Sequence, residues 1–120
     1  MSAVADSLSL RASLAAELRS FMPAETVLDA TEDLKPYECD GLTAYRQLPM
    51  LAVLPENEEQ VQRVLRACHQ HKVPVVARGA GTGLSGGALP LGDGVLLPFT
   101  KFMRILEIDP AARTMRVQPG

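Results

Sequence analysis

Arg78-Gly79-Ala80-Gly81-Thr82-Gly83-Leu84-Ser85-Gly86-Gly87 holds five of the nine glycines in this 120-residue chain. The segment has no acidic residue and follows directly on Val73-Pro74-Val75-Val76-Ala77, an apolar run with strand character. In open α/β sheets, ligands sit beyond the carboxyl ends of parallel strands, and this segment starts at such an end. Glycine reaches positive φ at little cost, and without a Cβ it lets the backbone approach a ligand closely. Successive amide N–H groups in such a turn form a concave nest that binds an anion without any lysine. The hydroxyls of Thr82 and Ser85 are further donors. An anion-binding loop is therefore expected here, in preference to a loop that is merely tight.

Upstream, Met50-Leu51-Ala52-Val53-Leu54 is a continuous apolar run closed by Pro55, as a strand buried on both faces requires. Asn57 can cap the helix that follows, with Gln60 completing a capping box. Glu58 and Glu59 then lie in the first turn, where the helix dipole favours anions. Val61, Val64, Leu65 and Cys68 make the expected buried stripe, and His69, His71 and Lys72 bring positive charge to the helix end. With Val73 to Ala77 as a second strand, also expected to be buried on both faces, the segment is a β-α-β unit with parallel strands.

Three glycine motifs compete for the loop. Gly81-Thr82-Gly83-Leu84-Ser85-Gly86 matches G-x-G-x-x-G, and Glu107 follows about twenty residues on, as a dinucleotide fingerprint prefers. That reading needs a helix opening at the loop, whereas Leu89-Pro90-Leu91-Gly92-Asp93-Gly94 puts a proline and two glycines there. Glu107 moreover falls on a half-exposed strand. A phosphate loop of the Walker type needs lysine after its last glycine, and Gly87 stands there instead. Both readings fail.

Downstream, Val95 to Phe99 reads as a strand. Ile105 and Glu107, then Met115 and Val117, alternate on either side of Asp109-Pro110-Ala111-Ala112-Arg113, which predicts a hairpin. At the N-terminus, Leu10, Leu14, Leu18 and Phe21 recur at helical spacing until Pro23. Residues 24–47 show little periodicity and include the turn-like Pro36-Tyr37-Glu38-Cys39-Asp40-Gly41. They read as a long connection. The expected organisation is a helical segment and connection over 1–47 and a nucleotide-site domain over 48–120.

Hydrophobic content of 47% and net charge of −2 fit a globular protein and carry no basic stripe for nucleic acid. Two cysteines, Cys39 and Cys68, form neither a disulfide framework nor a zinc site. His69 and His71 point to different helix faces and lack a third ligand, so no metal is expected. No basic region precedes an apolar run at the N-terminus, and no apolar stretch approaches membrane length. A cytoplasmic protein is expected, with peripheral membrane association left open. Glu58 and Glu59 read as cap residues, so no catalytic acid or base is assigned. Tyr37, Asp40 and Tyr45 are as much surface residues as contacts to other parts. Arg78 can meet a phosphate or brace the loop against carbonyls.

The run Val75 to Ala88 resembles the signature loop of the PCMH-type FAD-binding domain of the vanillyl-alcohol oxidase superfamily. The hairpin and its Val117-Gln118-Pro119-Gly120 exit are similar too. Pro36 to Leu42 with Ala44-Tyr45-Arg46 resembles the stretch before the domain in the glycolate oxidase and D-2-hydroxy-acid dehydrogenase group. The resemblance implies an α/β fold (α+β in some schemes): a β-α-β unit, a phosphate loop and a β-hairpin, forming the first half of such a domain. It implies FAD as cofactor, held at Arg78, Gly79, Ala80, Gly81, Thr82, Gly83, Leu84, Ser85 and Gly86. Covalent members often carry histidine where Thr82 stands, so non-covalent FAD is expected. The implied parent activity is oxidation of glycolate or a related D-2-hydroxy acid, a D-lactate dehydrogenase-like parent included. The implied partners are a second flavin-type subunit and an iron–sulfur subunit. In that family the domain continues past such a Pro-Gly, so the chain is expected to lack catalytic and cap regions and to be inactive alone. Two other classes stay open: a nucleotide-binding module without redox chemistry, and a gene fragment with no function of its own.

Overall fold

The computed structural model describes residues 2–120. Helix α1 (Ala3–Arg19) starts at Ser2, whose side chain accepts from the Ala5 amide, and buries Leu14, Ala15 and Leu18. Beyond Pro23, a turn buries Thr26, whose hydroxyl donates to the Pro23 carbonyl at 2.7 Å. The chain then enters β1 (Val27–Leu28), which pairs antiparallel with β2 (Leu51–Val53). Short α2 (Thr31–Leu34) follows β1. The expected connection over 24–47 thus contains an edge strand. Two residues are too few to carry a period-2 pattern, so only the pairing reveals it.

Helix α3 (Glu58–Gln70) is capped as its sequence predicts, with Asn57 Oδ1 accepting from the Gln60 amide at 2.9 Å. The Gln60 side chain reaches back to the Glu56 amide rather than to Asn57. The buried residues are Val64, Ala67 and Cys68, whereas Leu65 is 45% exposed. This corrects the expected stripe. Helix α1 packs against α3, and the burial turns toward the side of Ala67. At the helix end, His71 meets Glu17 of α1 at 2.6 Å and ties the two helices.

Strands β3 (Val75–Arg78) and β4 (Val95–Pro98) complete a four-stranded sheet in the order β1-β2-β4-β3. The strands of the β-α-β unit are parallel, as expected, but not adjacent. β4 lies between them, with Leu51↔Val95 on one side and Val75↔Val95 on the other. Hence β4 is buried throughout, and β3, expected to be buried on both faces, is a half-exposed edge.

Alternation along the strands sorts the core into two layers. Leu51, Val53, Val95 and Leu97 face α1 and α3. Ala52 and Leu96 face the other way, under Leu34, with Tyr37 and Leu48 packed over them. The segment between β1 and β2 therefore covers the second sheet face and is not a free connection.

The hairpin of β5 (Ile105–Asp109) and β6 (Thr114–Val117) forms a separate two-stranded sheet. Asp109 Oδ1 accepts from the Ala112 amide in its turn, and Arg113 takes φ +55°. Ile105, Ile108, Met115 and Val117 are all exposed, and Glu107, expected to be half-exposed, is exposed too and pairs with Arg116 at 2.9 Å.

Candidate functional site

The glycine segment leaves β3 at Arg78, whose carbonyl accepts from the Phe99 amide of the neighbouring chain segment at 2.8 Å. No helix opens after it. Residues 88–94 instead turn directly into β4, pinned by buried Pro90 and by the Gly94 amide donating to Leu91. Gly81 to Gly86 keep the spacing of the dinucleotide fingerprint, but the helix it needs is missing, so no helix N-terminus opens from the loop. Any affinity for anions must come from its own peptide groups and hydroxyls.

Those groups are free. Among the described residues, no backbone N–H of residues 80–88 donates to a protein acceptor; the Leu89 amide, bonded to the Gly86 carbonyl, is the first that does. The segment is largely exposed, and the hydroxyls of Thr82 and Ser85 are unbonded. Gly81 and Gly86 take φ +72° and +78°, the left-handed conformation that reverses a peptide group and favours glycine. A run of unpaired donors bounded by such reversals is what an anion nest is built from. The residues fit a diphosphate, which offers only acceptors.

Arg78 behaves as a brace. Its Nη1 donates to the Cys39 carbonyl at 2.7 Å, and the guanidinium lies over the Tyr37 ring, 5.6 Å from its centroid. Next to Cys39, Asp40 is 5% exposed; its Oδ1 accepts from the Leu42 amide at 2.8 Å, while its buried Oδ2 has no partner. Gly41 abuts the loop so closely that a Cβ there would fall 2.7 Å from the Thr82 carbonyl oxygen and 2.8 Å from that of Gly83. The sequence thus placed the loop, but not its neighbour. Tyr37, Asp40 and Gly41 stand beside it, whereas Tyr45 is 62% exposed.

Other chemistry is sparse. Among the described residues, no three His, Cys, Asp or Glu side chains cluster as a metal site, and no helix is long and apolar enough to cross a membrane. A groove of about 370 Å³ runs between the start of α3 and the hairpin, lined by Val61, Phe99, Phe102, Leu106 and Val117 with Glu58 at its edge. None of the glycine-loop residues lines it. Burial, helped by the charge of Glu17, pushes the Cys68 thiol from 9.0 up to about 11. It stays protonated and inert at neutral pH. Iodoacetamide at pH 8 is expected to label half-exposed Cys39 and spare Cys68 in the folded chain, as peptide mass spectrometry would read. Because the folded value is the higher one, the stability tied to this thiol is intact below pH 9 and declines as pH rises through about 11.

The family model described as FAD binding domain matches residues 49–120. Over 110 residues the chain is 56% identical to the glycolate oxidase subunit GlcD of Escherichia coli (strain K12), covering 92% of this chain and 22% of that protein. The D-2-hydroxyglutarate dehydrogenase of Stutzerimonas stutzeri is 34% identical over 104 residues, 87% of this chain and 22% of that one. The chain therefore spans about a fifth of the length of these relatives. Among solved structures, substrate-bound p-cresol methylhydroxylase superposes with a TM-score of 0.81 at 29% identity, over 93% of this chain and 22% of that one.

Proposed function

The chain belongs to the FAD-binding domain family, and on that premise we propose that its glycine loop holds the FAD diphosphate in a flavoenzyme oxidising glycolate or a related D-2-hydroxy acid. The observation that carries the reading is the run of unpaired amides over residues 80–88 at the end of β3. The proposed contacts are the backbone groups of Gly79, Ala80, Gly81, Thr82, Gly83, Leu84, Ser85 and Gly86, with Arg78 at the loop's base. When bound, FAD supplies a hydride acceptor for the carbon bearing the hydroxyl. This chain's part is to fix the cofactor by its diphosphate; none of its side chains is assigned as acid or base. Residues 48–120 are the proposed FAD-domain portion, with α1, β1 and Leu34 and Tyr37 of the preceding segment packed onto it. Resemblance to glycolate oxidase supports a second flavin-type subunit and an iron–sulfur subunit as partners, and the proposed location is cytoplasmic, with peripheral membrane association of the parent complex left open.

The test is titration of the ¹⁵N-labelled chain with FAD, ADP and riboflavin. Amide signals of residues 79–86 are expected to shift with FAD and ADP, which carry the diphosphate, and not with riboflavin, which lacks it. Equal shifts with riboflavin, or none in the loop, would count against the reading. ADP binding with no added affinity for FAD would favour a nucleotide module without redox chemistry. Thr82 offers no ring nitrogen to tether a flavin, so acid precipitation of the FAD-loaded protein should leave all colour in the supernatant. Colour retained on a peptide spanning residue 82 would contradict non-covalent binding.

A further inference from the structure

We infer that Tyr37–Gly41, which precedes the residues matched by the family model, is the second wall of the phosphate loop and sets the direction of its peptide groups, with Arg78 as the positioning residue that joins the two. The inference deepens the reading of the loop as a diphosphate site and rests on it for the choice of ligand. Its physical basis is the contact at Gly41. The two atoms nearest a Cβ built there are the carbonyl oxygens of Thr82 and Gly83, so both carbonyls project toward the wall. Across a trans peptide, C=O and the following N–H point in opposite directions, and no cis bond occurs among the described residues. The amides of Gly83 and Leu84 therefore face away from the wall, into the open side, and neither has a protein acceptor.

The wall is itself anchored. Tyr37 packs on the second sheet face with Leu34, Ala52 and Leu96. The Asp40 turn onto the Leu42 amide fixes the chain around Gly41. Arg78 then spans from the strand end to this anchored segment, through the Cys39 carbonyl and the Tyr37 ring. The fixed fork of a guanidinium can donate to the carbonyl while its plane stays near the ring, a geometry that the shorter reach and flexible point charge of lysine do not reproduce. Its flank also abuts Gly81, where a Cβ would land on the guanidinium. The loop is held by the wall at Gly41 and by Arg78 at Gly81, a positioning role that needs no contact with the ligand.

Direct phosphate contact by Arg78 predicts a different pattern, and four variants separate the two. Arg78→Lys and Tyr37→Leu are each expected to weaken ADP binding by about tenfold, the scale of one lost hydrogen bond to a charged group. The double variant should be no worse than the weaker-binding single, and Tyr37→Phe, which keeps the ring, should bind as the parent does. Were Arg78 a phosphate ligand instead, Arg78→Lys would keep most of the affinity and Tyr37→Leu would change nothing, which would overturn the inference. A readout without ligand stands beside these. Gly41→Ala should displace the amide signals of Gly83 and Leu84, while the β4 amides stay as in the parent. An unmoved loop in Gly41→Ala would also overturn the inference. If Gly41→Ala moves the loop but the parent chain binds no ADP, the diphosphate reading fails and the wall's hold on the loop is upheld.

Discussion

Gly81→Val is expected to remove phosphate binding from the loop while leaving the fold intact. Gly81 sits at φ +72°, where an L-residue costs roughly 1–2 kcal/mol and a β-branched one is more strained still. The new Cβ would also land on the Arg78 guanidinium, which is committed to the Cys39 carbonyl and the Tyr37 ring. Either the arginine gives up its brace or the loop backbone leaves its conformation. Both outcomes scatter the free amides that make the nest. A loss of at least about a hundredfold in ADP affinity follows, close to 2.8 kcal/mol. The strain should lower the melting temperature by about 3–12 °C while a single cooperative transition is kept, because the loop is exposed and lies outside the core. Gly87→Ala is the matched control: a Cβ there meets nothing within 4 Å, and its φ is not in the left-handed range. Normal ADP binding by Gly81→Val would show that the loop amides are not the ligand's partners.

The loop was readable from sequence because its signal is local. Glycine density, the preceding apolar strand and the missing helix all lie within about twenty residues, and each has one physical meaning. The cap at Asn57 and the hairpin turn at Asp109 were legible for the same reason. What escaped was set by partners distant in the chain. Periodicity cannot say whether the two strands of a β-α-β unit touch or have a third between them, since both are parallel either way. The insertion of β4 between β2 and β3 is what leaves β3 half-exposed. Likewise Leu65 and Ala67 compete for the buried side of α3, and the packing of α1, not hydrophobicity, decides between them.

The wall at Tyr37–Gly41 shows the limit most plainly. Its residues look like an irregular polar connection, and nothing local pairs Gly41 with Thr82 or Cys39 with Arg78. Only the sheet brings them together, by placing the end of β3 beside the segment that covers the second face. The alternatives for Arg78, ligand or brace, had equal local support. The hydrogen bond to Cys39 and the cation–π contact with Tyr37 favour the brace.

Leu96→Ala tests the core that holds this arrangement, and it should be among the most destabilising single truncations. Leu96 is 0% exposed on the central strand, paired with Ala52 on one side and Val76 on the other. It supports Leu34 and Tyr37 on the second sheet face. Few neighbours there can collapse into the gap, since Ala52 is already small and the strands are hydrogen-bonded on both edges. Truncating a buried leucine to alanine costs about 2–5 kcal/mol, more where the cavity stays open. Whole domains are stable by only about 5–15 kcal/mol, so a large share would go. At about 3–6 °C per kcal/mol for a chain of this size, the midpoint should fall by about 6 °C or more. Because Leu96 lies under Tyr37, the loop amide signals should also shift in this variant. Leu65→Ala is the counterpart, since Leu65 is 45% exposed despite its apolar character; its cost should stay within about 1 kcal/mol. Thermal melts of the two variants side by side decide the matter. If Leu65→Ala proved as costly as Leu96→Ala, α3 would present the face its sequence suggests, and the packing of α1 against the Ala67 side would be wrong.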